Sequence, residues 1–102
     1  MAPTLTEREF SQHLNSNFRL VLDPPKQVEL KLTEVKGYLS KENEQGGMER
    51  FSAFFTGPKD LRLPQGTYRL EHSAMGTFDI FLVPIAEDAQ GLRYEAVFNY
   101  FK

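Results

Sequence analysis

The chain has 102 residues, of which 40% are hydrophobic and 25% are charged, and its formal net charge is −2 at pH 7. A chain of this length supplies apolar surface for one core, so we expect a single domain over residues 1–102. The weakly acidic balance and the scattered basic residues argue against nucleic acid or an anionic membrane as a partner.

Two further features bear on the cellular location. The chain contains no cysteine, which excludes disulfides, thiolate metal sites and cysteine nucleophiles. Its N-terminus lacks the basic start and apolar core of a secretory signal. We therefore predict a cytoplasmic protein.

The N-terminal segment predicts a helix at about residues 5–15. Thr6 and Glu9 have the spacing of a capping box, and Leu5 and Phe10 have the spacing of the matching hydrophobic staple. Phe10 and Leu14 lie one turn apart and predict the apolar face of this helix.

The rest of the chain alternates between apolar and polar residues, which predicts strands. A slip in this alternation predicts a β-bulge near Thr33 and Glu34. About six strands with short connections are typical of a mainly β antiparallel barrel or sandwich, and we expect the N-terminal helix to plug one end or cover a seam. The predicted strands span residues 18–22, 27–36, 49–56, 67–72, 77–85 and 92–99.

Four sequence blocks occur in order along the second half of the chain: MERFSAFFTGP, LPQGTYRLEH, MGTFDIFLVPI and LRYEAVFN. Over residues 48–99, and in the spacing of an N-terminal helix and Phe18, the chain resembles an uncharacterised bacterial domain family of unknown function, represented by small all-β proteins. The resemblance implies an association with phage-tail-like collar or fibre proteins, and hence a role in tail assembly or capping. No catalytic residues are established for that family, so the resemblance implies none here.

The predicted hairpin of the fourth and fifth strands contains the side chains most typical of catalytic or metal sites. One register sets Glu71 opposite Asp79, where two carboxylates can share a proton or bind a cation. The other register sets Arg69 opposite Asp79, a favourable cross-strand pair. A left-handed Gly76 in the turn favours the first register, and cross-strand charge favours the second.

Catalysis at this hairpin requires side chains that converge. Neighbouring strand residues point to opposite faces, so Glu71 and His72 diverge, and His72, Ser73 and Asp79 do not form a triad. His13 and His72 also lack the spacing of a metal-binding motif. We therefore predict no catalytic, metal or cofactor-binding residues and no enzyme activity, although a metal-dependent or hydrolytic enzyme that uses Glu71, His72 and Asp79 remains an alternative.

Several apolar residues have the wrong parity for the inner face of the predicted strands. Phe54, Phe81 and Val83 point outward, and Tyr100 and Phe101 add two aromatic rings at the end of the last strand. Either the helix covers this apolar surface or a partner does. These five residues are the predicted interface.

We therefore predict a non-enzymatic protein-interaction or assembly module that binds a protein partner or associates with itself. The alternative is a small-ligand-binding barrel, although a barrel of about six strands leaves little interior room. Its apolar pocket would be lined by Phe51, Phe55, Tyr68, Phe78 and Phe98.

Overall fold

The computed structural model describes residues 5–22, 27–38 and 48–101, and over this part of the chain it shows a six-stranded antiparallel barrel with one short helix. Side chains are described for residues 5–22, 27–38 and 50–99. The mainly β prediction is confirmed, and of its two forms the barrel is the one observed. The elements are α1 (Glu7–Ser11), β1 (Asn17–Val21), β2 (Gln27–Gly37), β3 (Met48–Gly57), β4 (Gly66–His72), β5 (Gly76–Asp88) and β6 (Gly91–Phe101).

The strands close in the order β1-β2-β3-β6-β5-β4, and every neighbouring pair is antiparallel. The predicted bulge is confirmed, because the β2–β3 register shifts between Leu32 and Glu34. At the bulge the Thr33 hydroxyl donates to the carbonyl of Phe54 at 3.3 Å. The inward faces of the strands form one apolar core.

The start of α1 follows the predicted cap. The Thr6 side chain accepts a hydrogen bond from the backbone N–H of Glu9 at 3.1 Å, which satisfies one donor of the first helical turn. No helix among the described residues is long and apolar enough to cross a membrane.

The end of α1 differs from the prediction. The helix stops at Ser11, and the chain turns until Asn15 adopts a left-handed conformation with φ 70°. Asn tolerates this conformation better than most residues, and it redirects the chain into β1. Leu14 therefore does not share an apolar face with Phe10 as predicted, and it is 41% exposed.

Phe10 brings the helix into the core. Its side chain is fully buried, and the helix plugs one end of the barrel, as one of the two predicted placements required. The Phe10 ring lies 5.4–6.5 Å, between centroids, from the rings of Phe18, Phe51, Phe55, Phe78 and Phe98.

Candidate interaction surface

The β4–β5 hairpin adopts the second of the two predicted registers. Arg69 pairs with Asp79 across the strands, and their side chains form an ion pair at 3.3 Å. The turn consists of residues 73–75, and Gly76 keeps its left-handed conformation, with φ 85°, as the first residue of β5. One register therefore satisfies both the left-handed glycine and the Arg69–Asp79 charge pair, which the sequence had assigned to different registers.

This register separates the two carboxylates. Glu71 lies opposite Thr77, and its carboxylate lies 3.9 Å from the guanidinium of Arg19 on β1. Asp79 has Arg69 as its neighbour instead. The predicted pair of adjacent carboxylates does not form.

His72 points inward, as the parity of β4 requires, and closes the hairpin turn from inside. Its Nδ1 atom accepts hydrogen bonds from the backbone N–H groups of Ala74 and Met75, at 3.0 and 3.1 Å. Its Nε2 atom lies 3.0 Å from the Ser16 hydroxyl, which itself donates to the carbonyl of His13. This network assigns the proton of the neutral imidazole to Nε2. His72 therefore has a structural role in the turn.

The fold brings the two histidines together although they lie far apart in sequence. Their ring centroids are 4.7 Å apart, and the ring of Phe18 packs on the other side of His72 at 4.3 Å. Burial, and secondarily the proximity of His13, lowers the pKa of His72. Within the described residues no group of three or more His, Cys, Asp or Glu side chains is arranged to hold a metal ion.

The outer side of β5 and β6 carries exposed apolar residues. Phe81 is 51% exposed and Ile85 is 43% exposed, while Val83 is half-buried. Val97 on β6 is 63% exposed, the highest value among the large exposed hydrophobic residues of the described chain. The plugging helix lies at the end of the barrel and packs on β2 and β3. We call Phe81, Val83, Ile85 and Val97 together the β5–β6 face.

The remaining predicted interface residues divide into two groups. Phe54 on β3 is half-buried, and the Arg93 guanidinium lies 5.4 Å from the centroid of its ring, so that Phe54 borders the face beside a charge. Arg93 in turn forms an ion pair with Glu34 at 3.4 Å. The side chains of Tyr100 and Phe101 lie outside the described residues.

A polar network lies beside the face. Ser52 is fully buried although it points outward from β3, and its hydroxyl donates to the Glu95 carboxylate at 2.7 Å. The hydroxyl of Tyr38 lies 3.0 Å from the same Ser52 oxygen. Glu95 lies opposite Val83 in the β5–β6 register. A polar group that is well bonded thus borders the apolar residues.

The pairing of β5 with β6 covers only part of each strand. It runs from Val83 opposite Glu95 to Asp88 opposite Gly91. Residues 76–82 of β5 pair with β4 on their other side, and residues 96–101 of β6 pair with β3. Within the described residues, the two strands therefore present unpaired edges toward each other at the end of the barrel that α1 plugs.

Sequence reasoning missed two parts of this surface. Val97 follows the buried residues Tyr94 and Ala96 in an alternating pattern, and this pattern alone indicates that Val97 points outward. The unpaired edges have no comparable signal, because the point at which two strands separate depends on the shape of the whole barrel.

A model of a family described as "Domain of unknown function (DUF6916)" matches residues 5–98 of the chain. This agrees with the resemblance to a family of unknown function, and it covers the helix and all six strands. No curated protein and no solved structure matches the chain.

Proposed function

Because the chain belongs to the DUF6916 family of domains of unknown function, we propose its function from its own surface: it is a non-enzymatic module that binds another protein through the β5–β6 face. The observation that supports this most is the exposure of Phe81 and Val97, at 51% and 63%, on neighbouring strands. Burying a large apolar side chain completely contributes about 1.5–3 kcal/mol, so covering their exposed parts would contribute about 1 kcal/mol for each.

The border of the face supports the same proposal. Arg93 forms an ion pair with Glu34, and Glu95 accepts a hydrogen bond from Ser52. A partner can therefore cover the apolar residues without desolvating an unpaired charge. An apolar centre with a polar border is the usual composition of a specific protein interface.

The alternative of a small-ligand-binding barrel receives less support. Phe10 occupies the space among the phenylalanines that the ligand pocket required. Of the predicted lining residues, Tyr68 is half-buried, and its hydroxyl donates to the carbonyl of Pro64. The chain therefore fills its own interior.

The enzymatic alternative is also less favoured by the geometry. His72 points into the core, while Glu71 and Asp79 point outward and each lies beside an arginine. Proton transfer among these three groups is disfavoured, because His72 lies on the opposite side of the sheet from the two carboxylates. A role in tail assembly or capping stays a prediction from the family resemblance. The cytoplasmic location stays a prediction from the absence of cysteine and of a secretory signal pattern. Both are compatible with a binding module.

The proposal is tested by site-specific photo-cross-linking in cells. A photoreactive phenylalanine analogue replaces Val97 in one variant and Arg19, on the outer side of β1, in the matched control. We expect a discrete cross-linked partner from position 97 and none from position 19. The same partner, once purified, is expected to bind the natural chain about 5- to 30-fold more tightly than the variant Phe81→Thr/Val97→Thr, since the two contacts together contribute about 1–2 kcal/mol.

Two results would count against this function. Equal cross-linking from positions 97 and 19 would mean that the β5–β6 face has no preferred partner. Unchanged affinity in the double threonine variant, whose fold is checked by its unfolding midpoint, would mean that the exposed apolar residues do not bind the partner.

A further inference from the structure

We infer that the partner binds as an added β-strand along the open edge of β5, over residues 76–82. This inference rests on the proposed function, since it specifies how a protein partner reaches the β5–β6 face. An unpaired strand edge presents a row of backbone donors and acceptors, and an extended segment of another chain satisfies them by joining the sheet.

The direction of the backbone groups on β5 follows from two features. Pro84 has no N–H and lies within β5 opposite Tyr94, so it cannot donate in the β5–β6 ladder, whereas its neighbour Val83 pairs with Glu95. The three-residue turn closes on His72 and Gly76, which places the hydrogen-bonded pairs of the β4–β5 ladder at even-numbered residues of β5.

Both features give the same alternation of backbone direction along β5. The backbone groups of the even-numbered residues of β5 point toward β4, and those of the odd-numbered residues point toward β6. Thr77, Asp79 and Phe81 therefore direct their N–H and C=O groups to the side on which β5 has no pairing partner among the described residues. Three consecutive odd-numbered residues can bind a segment of about five to six residues.

The side chains along this edge define the chemistry of the segment. Phe81 is exposed on the outer side, so an apolar side chain of the partner next to it would be buried on the β5–β6 face together with Val97. The carboxylate of Asp79 is negatively charged and exposed, which disfavours an acidic side chain directly beside it. On the inner side, Phe10 fills the barrel behind the edge, 6.0 Å from the ring of Phe78, so only small inward side chains fit. The geometry thus favours an extended, proline-free segment with outward apolar residues and no acidic residue near Asp79.

A second copy of this chain fits the edge less well. Two copies that pair edge to edge about a two-fold axis, with the whole of the open edge overlapping, centre on its middle residue, which is Asp79. Each Asp79 would then lie directly opposite the other, and like charges in that position destabilise a strand pair. The partner is therefore a different chain.

Hydrogen exchange of the free protein gives the first test, because it reports the open edge independently of any partner. We expect the amides of Thr77, Asp79 and Phe81 to exchange at least about tenfold faster than those of the even-numbered residues in the same strand. Equal protection of the two sets would mean that the edge is closed. That result would overturn strand addition but leave binding through the side chains of the β5–β6 face intact.

Selection from a displayed library of random 12-residue peptides gives the second test. We expect enriched peptides with apolar residues at alternate positions, and we expect the bound peptide to slow exchange at Thr77, Asp79 and Phe81. Each selected peptide is then synthesised with N-methyl groups on alternate amides in the two possible phases. Methylation in the phase that faces β5 is expected to abolish binding, and methylation in the other phase is the matched control.

The outcomes separate this inference from the proposed function. Peptides that bind equally well in both methylated phases would overturn strand addition, and sensitivity of that binding to Phe81→Thr/Val97→Thr would still support the interaction face. A selection that enriches no peptide sensitive to the double variant would overturn both. A dimer of the free protein with slow exchange at residues 77, 79 and 81 would overturn the assignment of the edge to a different chain.

Discussion

Replacing Phe10 with alanine tests whether the plug holds the barrel together. The Phe10 side chain is fully buried and packs against five aromatic rings drawn from β1, β3, β5 and β6. Its removal leaves a ring-sized cavity at the point where these strands meet, and the rings around it cannot all move inward because they are held on four different strands. Substitutions of buried phenylalanine by alanine cost about 3–5 kcal/mol.

That cost is large compared with the stability of a small domain, which is about 5–15 kcal/mol. With a fall in the melting temperature of about 4–8 °C per kcal/mol for a domain of about this size, we expect Phe10→Ala to lower the melting temperature by roughly 15–30 °C. Phe81→Ala is the matched control because it removes the same atoms from a side chain that is 51% exposed. We expect it to cost about 1 kcal/mol.

The measurements are thermal melts and urea unfolding of the two variants and the natural chain, followed by circular dichroism and by fluorescence of the tyrosines. Equal destabilisation by Phe10→Ala and Phe81→Ala would refute the reasoning, since it would mean that the helix does not stabilise the barrel from inside. A loss of cooperative unfolding in Phe10→Ala alone would agree with it.

Three further predictions concern stability. The pKa of His72 is lowered from its ordinary value of 6.5 by folding, so the unfolded chain binds the proton more readily than the folded one. The stability that the neutral His72 gives the folded state is therefore complete above about pH 6.5 and is lost as the pH falls through the folded-state pKa. In His72→Asn, which keeps an acceptor at the position of Nδ1, the free energy of unfolding from urea titrations should fall less between about pH 7 and 5 than it does in the natural chain. Gly91→Ala should destabilise more than Gly76→Ala in thermal melts, because both glycines have positive φ but only at Gly91 does a methyl group meet a backbone oxygen, the carbonyl oxygen of Gly57. Equal costs would contradict this. Ser52→Ala removes the donor to Glu95 and should cost about 1–2 kcal/mol, and a neutral effect would mean that water replaces the hydroxyl.

The sequence predicted the parts of the fold that depend on local pattern. The alternation of apolar residues located all six strands within a few residues, the phase slip located the bulge after Leu32, and the capping box located the start of α1 at Thr6. Each of these features depends on residues close in sequence, which is why they could be read directly.

Features that depend on distant residues were beyond such reasoning. The helix stops early because the chain after Ser11 turns to bring His13 and Ser16 against His72, a residue on another element. The register of the hairpin remained open because only the complete strand pair shows that Gly76 can begin β5 and keep its left-handed conformation.

The candidate surface shows the same division. The outward parity of Phe81 and Val83 was read correctly, and that of Val97 was equally available in the pattern of β6. Whether anything covers them depends on the position of the helix, which could equally have packed outside the barrel. The separation of β5 from β6 is likewise set by the curvature of both strands.

The position of Phe10 also has a consequence for synthesis on the ribosome. Its ring lies 5.4 Å from that of Phe98, so the centre of the core needs residues from both ends of the chain. At about 5–20 residues per second, Phe10 leaves the ribosome several seconds or more before Phe98 is available to cover it. During that interval the N-terminal segment exposes an apolar ring that chaperones can bind. The barrel reaches its native packing only after Phe98 has left the ribosome.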